Sequence, residues 1–321
     1  MMFKNLLQYR PQIKSLREAL LGMTILGWTL ASVNPAQAAI FGLKSADNGD
    51  GTLPTHLFSF EEDGIGGAVD LGEVTIGGTT PINADALAID KNDNLFAFQL
   101  TGVGTQNIDS RLLSLNSTNG TATAIGSVLA GRDIRGAAFD FNNKLLAIDS
   151  ANDELLTIDV NTGNVINSIG LQLNGIGFDM NNATDIAIRN DGVNNNQIFS
   201  TVFVNRSRDI YSLDVLTGEL NFVHNVGNDA SMRGLAFSDQ GQPQDLYAFD
   251  GILADDIFKF DTNDDPFTRE LLIEDILPEF NSGRGDLAAR VKVEIPEPSG
   301  VGAILAFGVG FFWRGWRDKN K

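Results

Sequence analysis

Apolar and polar residues alternate with a period of two through most of residues 39–290, the pattern of strands that bury one face. Five short cores have the same make: Leu57-Phe-Ser-Phe60, Leu112-Leu-Ser-Leu115, Leu155-Leu-Thr-Ile158, Ile210-Tyr-Ser-Leu213 and Ile257-Phe-Lys-Phe260. Their first residues lie 55, 43, 55 and 47 positions apart. A spacing near fifty that survives insertions predicts one unit repeated around an axis or along a line. Most cores are followed by a polar turn, as in Asp159-Val-Asn-Thr-Gly163 and Asp214-Val-Leu-Thr-Gly218. In such turns the Asp bonds to following amides and the Gly takes positive φ. A second alternating segment leaves each turn, so each core belongs to a hairpin.

Two more strands complete the unit. One is rich in small residues, as a crowded position near an axis requires: Ala86-Leu-Ala-Ile-Asp90, Gly136-Ala-Ala-Phe-Asp140, Gly175-Ile-Gly-Phe-Asp179 and Gly234-Leu-Ala-Phe-Ser238. The other reads Leu95-Phe-Ala-Phe98, Leu145-Leu-Ala-Ile148, Asp185-Ile-Ala-Ile188 and Leu246-Tyr-Ala-Phe249. Four antiparallel strands per unit are the content of a β-propeller blade. The N-terminal part, from Ala39 through Leu57 to Val74, supplies second, third and fourth strands without a first, and residues 286–290 supply a lone first strand. A blade built from both termini would close the ring and remove its exposed edges. The expectation is therefore an all-β, five-bladed propeller. A six-bladed ring, with Ile198-Phe-Ser-Thr-Val-Phe203 in an extra blade, is the alternative, and an open solenoid gives no reason for complementary ends. The repeat style is similar to an uncharacterised extracellular domain family with Tyr/Phe-Ala-x-Asp repeats, over roughly residues 40–290, a resemblance that implies no established activity.

The two ends read differently from the middle. Lys4, Arg10, Lys14 and Arg17 precede an apolar stretch and the small residues Ala36-Gln37-Ala38, the order of an export signal cleaved after Ala38 by signal peptidase. At the other end Pro296-Glu297-Pro298-Ser299 precedes fourteen apolar or glycine residues, 300–313, and then Arg314, Arg317, Lys319 and Lys321. As a helix this run would rise ~21 Å against a hydrocarbon core of ~30 Å, short for a comfortable span, so it predicts a short transmembrane helix and transient membrane association. The tail resembles the PEP-CTERM sorting signal of bacteria that make extracellular polysaccharide. That resemblance implies recognition and removal by an exosortase-like protease, and a final place in the envelope or outside the cell. The domain reading is a signal peptide over 1–38, an ectodomain over 39–293 and a sorting tail over 294–321.

Charge and composition narrow the partners. The chain carries 23 basic and 41 acidic side chains, a formal charge of −18, and a surface of that sign repels nucleic acid. Cysteine is absent, which removes disulfides, thiolate nucleophiles and Cys-ligated metals. Apolar residues make up 43% of the chain and Phe numbers 21, enough for a packed core.

Antiparallel order puts the fourth-to-first and second-to-third connections on one face, together with the long segments 99–110, 189–208 and 274–284. Long loops on a rigid scaffold are the usual place for binding. On that face Asp85, Arg135, Asn174 and Arg233 occupy aligned positions just before the small-residue strands, with Arg284 one position out of register. They form a polar collar that either pairs across blades to seal the mouth of the channel or binds a ligand, with an extracellular polysaccharide as the leading partner. Asp90, Asn92 and Asn94, and likewise Asp261, Asn263 and Asp265, space oxygen ligands at alternate positions, which makes calcium a candidate cofactor. Recurrence of the same turns in several blades favours hairpin chemistry instead. His56 and His224 are the only histidines, and no Ser/His/acid order stands out. On these grounds the reading leans away from an enzyme and toward a noncatalytic binding or structural role. The alternative is a metal-dependent, lactonase-like propeller hydrolase.

Overall fold

In the computed structural model the described residues are 39–45, 54–103, 107–177, 185–189, 197–204, 207–226, 232–237, 245–250, 256–262, 268–277 and 285–289. They form five sheets, each built on four antiparallel strands, one for each blade of a five-bladed β-propeller. Blade I runs from its inner strand Ala84–Ile89 through Leu95–Thr101 and Asp109–Leu115 to Thr121–Ala124. Blade II comprises Ile134–Phe139, Leu145–Asp149, Glu154–Ile158 and Val165–Gly170. Blade III comprises Ile186–Arg189, Gln197–Val204, Ser207–Leu213 and Glu219–Asn225, and blade IV Met232–Phe237, Leu246–Asp250, Asp256–Asp261 and Thr268–Ile273.

Blade V joins the two ends of the chain. Its inner strand Gly285–Ala289 pairs antiparallel with Ala39–Ser45, with Gly42 opposite Leu287, and Thr55–Glu61 and Val69–Glu73 complete the sheet. The incomplete N-terminal pattern and the lone C-terminal strand thus meet as their complementary periodicities predict.

Alternating side chains from facing blades bury five apolar clusters, one per interface. Phe41, Leu43 and Leu57 of blade V meet Leu87, Leu95 and Leu113 of blade I. Similar clusters fill the I/II and II/III interfaces. Phe199 and Ile210 pack on Leu246 and Phe260 between blades III and IV. Ile40, Phe58 and Leu287 pack on Tyr247, Phe249 and Ile257 between blades IV and V. Each fully buried Leu or Phe contributes about 1.5–3 kcal/mol, so every interface, including the one the C-terminal strand completes, carries several times the strength of a surface contact.

The Asp-x-x-Thr-Gly turns couple local conformation to this packing. The Asp214 carboxylate accepts the Leu216 amide at 2.8 Å, Gly218 donates to the Asp214 carbonyl, and its φ is +75°. A Cβ on Gly218 would sit 2.2 Å from the Gly170 carbonyl of the preceding blade, so glycine is needed for conformation and for blade contact alike.

Blade III differs from the expectation. Residues 176–177 belong to a small hairpin, Gln172–Leu173 with Ile176–Gly177, laid parallel against the outer strand of blade III. The inner strand is Ile186–Arg189, and the segment read as a long loop supplies the second strand, Gln197–Val204. Gly175-Ile-Gly-Phe-Asp179 imitates the small-residue pattern, but an inner strand must pair with the second strand of its own sheet, and Ile186–Arg189 does so. A matching hairpin, Thr75–Ile76 with Thr80–Pro81, caps blade I.

Among the described residues no helix is long and apolar enough to cross a membrane, and residues 300–313, where the transmembrane helix was expected, lie outside them, as do the signal residues Ala36 and Ala38 and the motif Pro296, Glu297 and Pro298.

Closure predicts an asymmetric response to truncation. Ending the chain after residue 284 removes Leu287 from the IV/V core and bares the Ala39–Ser45 edge, so the protein should aggregate or lose its cooperative thermal transition. Ending it after residue 293 should leave the melting temperature unchanged. Equal melting temperatures for the two truncations would rule out the closing role of Gly285–Ala289.

Candidate functional site

The inner strands bring one residue from each blade to the same level of the channel: Asp85, Arg135, Asp185, Arg233 and Asp286. In blades I, II and IV the pairing of first with second strand is irregular at this level. Ile134 pairs with Asp149 and Gly136 with Ile148, which leaves Arg135 between them, and Arg233 is left in the same way between Met232 and Gly234. The shift in blade I lies between Asp85 and Ala88. A bulge takes a residue out of the ladder and re-aims its side chain. The following glycines let the blades close in, since a Cβ on Gly136 would lie 2.5 Å from the Asp185 Cα and one on Gly234 2.9 Å from the Asp286 Cα.

Asp185 and Asp286 come from blades III and V, on either side of blade IV. Their carboxyl groups are hydrogen-bonded to each other, and both residues have no exposed surface. Each also spans an interface. Asp185 Oδ2 accepts the Leu235 amide of blade IV and Asp286 Oδ2 accepts the Leu87 amide of blade I. The remaining oxygens accept the amides of Ile186 and Leu287 at 2.6 and 2.7 Å. Burial, which penalises the charged form, pushes both carboxyls well above the usual carboxylate range, and the two together hold a proton that neither would hold in water.

The other three members of the ring complete its electrostatics. Asp85 is pushed up to about 6 by burial, against the pull of Arg135 and of the Ala86 amide. The Arg135 guanidinium binds Asp133 through Nε at 2.6 Å and Nη2 at 2.7 Å, and its Nη1 stands 3.5 Å from Asp85 Oδ2. Burial lowers the Arg233 pKa, opposed by Asp85, and its Nε finds no hydrogen-bond partner among the described residues.

Of the sequence-derived collar residues, Asp85, Arg135 and Arg233 stand near one another. Asn174 does not join them: it is exposed, with φ of +55°, in the outer hairpin of blade III, and Asp185 takes its place. Arg284 lies outside the described residues, and the aligned position in blade V is Asp286. Spacings of 50, 50, 48 and 53 along the ring are the signal that would have found both missed aspartates.

The calcium candidates have other work. Asp90 Oδ1 accepts the amides of Asn92 and Asn94, both at 2.8 Å, and Oδ2 accepts their side-chain amides. Burial alone would raise this carboxyl, but the bonds from Asn94 and Asn92 outweigh it and hold the pKa below its ordinary value. Asp261 ends the third strand of blade IV, while Asn263 and Asp265 lie outside the described residues. Among the described residues no three His, Cys, Asp or Glu side chains are grouped to hold a metal. The Asp185–Asp286 pair does not fit one either, because its oxygens already face each other and four backbone amides. Nor do the histidines assemble a site: His56 bonds Asp70 at 3.1 Å in blade V, and His224 lies edge-on to Phe260.

No family model matches the chain, and no curated protein does. Solved structures similar to it include a gluconolactonase from Xanthomonas campestris, at 17% identity and a TM-score of 0.43 over 59% of this chain and 62% of that one. Also similar are a glutaminyl cyclase from Myxococcus xanthus, at 14% and 0.41 over 67% and 87%, and a virginiamycin B lyase from Staphylococcus aureus, at 12% and 0.37 over 72% and 73%. This chain thus spans less than two thirds of the gluconolactonase. At such identities the activity must be argued from this chain's own residues. The lean away from an enzyme did not reckon with the Asp185–Asp286 carboxyl pair, which the sequence pattern had not brought together.

Unfolded carboxyls titrate near pH 4, whereas burial pushes Asp85 up to about 6 and Asp185 up to about 8, and raises Asp286 as well. Between those values the folded state binds more protons than the unfolded state, so the stability present below about pH 4 is lost as pH rises through the folded pKa values. The melting temperature should therefore fall from pH 5 to pH 8, by roughly 2–4 °C for each kcal/mol, and Asp286→Asn should flatten that fall. A rise over the interval, or an unchanged slope in the variant, would refute the protonated pair.

Proposed function

We propose that this protein is an exported β-propeller hydrolase of neutral esters or lactones, with the Asp185–Asp286 pair as its acid and base. The observation that carries the reading is the contact between two fully buried carboxyl groups, Asp185 and Asp286, from different blades. Two carboxyls with one proton between them present both halves of acid–base hydrolysis at one point. Once the collar opens far enough to admit water and substrate to the buried pair, the ionised member takes a proton from water as the water oxygen bonds to the carbonyl carbon. The protonated member gives its proton to the alkoxide as the carbon–oxygen bond breaks. The Arg135 and Arg233 guanidiniums, held beside Asp85, supply positive potential where negative charge develops, and in a dry site that effect is strong.

Export and sorting belong to the same proposal. The Ala36-Gln37-Ala38 site and the Pro296-Glu297-Pro298 tail support release by signal peptidase and an exosortase-like protease, which would place the enzyme in the envelope or outside the cell. Intact-mass measurement on protein from its native host should show loss of residues 1–38 and of the tail beyond roughly residue 298. A mature species that retains residues 311–321 would defeat the sorting assignment.

The inter-blade bonds to Leu235 and Leu87 favour a second reading, in which the two aspartates are clasps and nothing more. A panel of neutral lactones and sugar esters, assayed with and without a chelator, separates the two. Hydrolysis is expected, and Asp185→Asn or Asp286→Asn should reduce kcat/KM by about 10²–10⁴, the usual worth of a positioned acid or base. Asparagine keeps one of the two acceptor oxygens and sets a donor against the other amide, so the rates are compared at temperatures where circular dichroism shows each variant folded. No turnover by the wild-type protein, with only stability affected in the variants, would leave the clasp. Turnover abolished by the chelator and indifferent to both Asn variants would move the reaction to a metal site elsewhere.

A further inference from the structure

Far from the collar, the outer hairpin of blade III carries a reactive pair of its own. Asn174 and Gly175 form the turn between Gln172–Leu173 and Ile176–Gly177, with φ of +55° and +70°. Positive φ at both central positions is the type I′ arrangement that Asn-Gly favours in tight hairpins. In such a pair the glycine amide nitrogen can close a ring onto the asparagine Cγ, because no Cβ on the glycine obstructs the approach. The chain has three Asn-Gly pairs, of which Asn48-Gly49 lies outside the described residues. The other two differ in what holds them.

Asn119-Gly120 is tied down. Asn119 Oδ1 accepts the Thr121 amide at 3.0 Å, and the Gly120 amide donates to the Asn116 carbonyl at 3.0 Å. A Cβ on Gly120 would lie 2.8 Å from the Glu73 carbonyl oxygen, so the turn is also pressed against blade V. Asn174 is the reverse case. It is exposed, its side chain makes no hydrogen bond among the described residues, and nothing stands within 4 Å of a Cβ placed on Gly175. The Gly175 amide donates to the Glu219 carboxylate, 3.2 Å from Oε1 and 3.1 Å from Oε2. An amide nitrogen is a poor nucleophile until a base takes its proton, and here a base stands at hydrogen-bond distance.

We infer that Asn174-Gly175 is a self-modification site, at which the Gly175 nitrogen attacks Asn174 Cγ with Glu219 as the base. The nitrogen bonds to Cγ as its proton passes to Glu219. The Cγ–Nδ2 bond then breaks, and the nitrogen leaves as ammonia with the proton that Glu219 returns. Water opens the cyclic imide at either carbonyl, which leaves aspartate or isoaspartate and needs no oxidant or reductant. The product places a new carboxylate beside Glu219, a like-charge pair, and isoaspartate also lengthens the main chain by a methylene. Only the pairs Gln172 with Glu219 and Leu173 with Leu220, and the Gln172 amide on the Gly218 carbonyl at 2.9 Å, join this hairpin to the outer strand beside the Glu219 contact. Modification therefore loosens the hairpin from blade III and leaves the axial strands intact.

The full-length protein, incubated at mildly alkaline pH in water labelled with heavy oxygen, tests this by mass spectrometry of peptides covering residues 116–121 and 172–177. Label should enter at residue 174, as aspartate and isoaspartate, and Asn119 should stay unchanged. Glu219→Gln keeps an acceptor oxygen without the basicity, and should slow the reaction by about tenfold or more, short of the roughly 10²–10⁴ of an enclosed base because water competes at an exposed turn. Hydrogen exchange of the Gln172 amide should quicken in the modified protein. Equal labelling at Asn119 and Asn174, or none at either, would overturn the site, and that comparison needs no variant. Labelling at the wild-type rate in E219Q would overturn the role of Glu219, and unchanged exchange at Gln172 would overturn the loosening.

Discussion

Five inner strands share one narrow axis, and most of this molecule follows from the crowding that results. Strands so close leave no room for large side chains, which is why the inner sequences read Ala84–Ile89, Ile134–Phe139 and Met232–Phe237 with alanine or glycine at alternate positions. At Gly136 and Gly234 even a methyl group would strike the backbone of the next blade. The same closeness brings side chains from blades III and V into contact across the channel. In a wider ring Asp185 and Asp286 would face water and ionise independently.

The collar shows how charge adapts to that enclosure. Three carboxyls and two guanidiniums cannot all be charged without a net negative charge in a dry space, and burying an uncompensated charge is among the largest penalties in a protein. Raised pKa values at Asp185 and Asp286 keep part of that charge off the pair. Elsewhere the chain's large acidic excess stays in water, or it is tied into turns as at Asp90, Asp159 and Asp214, where amide donors hold the carboxylates below their ordinary pKa. Acidic residues thus shift in opposite directions according to whether amide donors or desolvation prevail.

Much of this was legible along the chain, because a blade is a local object. Period-two alternation, the Asp-x-x-Thr-Gly turns and the complementary ends gave the ring and its closure, and alignment of the inner strands gave Asp85, Arg135 and Arg233. Blade III misled for a physical reason. The small-residue stretch before Asp179 has the composition of an inner strand, and Asp185-Ile-Ala-Ile188 has the composition of a second strand. Which of them lies at the axis depends on pairing with Gln197–Val204, a contact that composition does not encode. The outer hairpins were missed for a similar reason: two-residue strands such as Thr75–Ile76 have too few positions for alternation to register, and they exist only because a neighbouring edge receives them. The protonation of the pair was beyond the sequence altogether, since it arises from desolvation by residues far apart in the chain.

The clasp and the proposed acid–base pair make the same demand on geometry. Each aspartate of the pair spends one oxygen on its own strand and one on the next blade, so neither carboxyl is free to rotate. Groups fixed in this way need no reorganisation when charge moves, which is the condition under which enclosed dipoles stabilise a transition state best. The raised pKa values point the same way, since a catalytic acid or base works best when its pKa is moved toward the operating pH. Tying the carboxyls to the backbone of adjoining blades therefore joins the rigidity of the ring to the reactivity of its centre. A wedge between blades III and IV would pull the Leu235 amide from Asp185 and disturb both together.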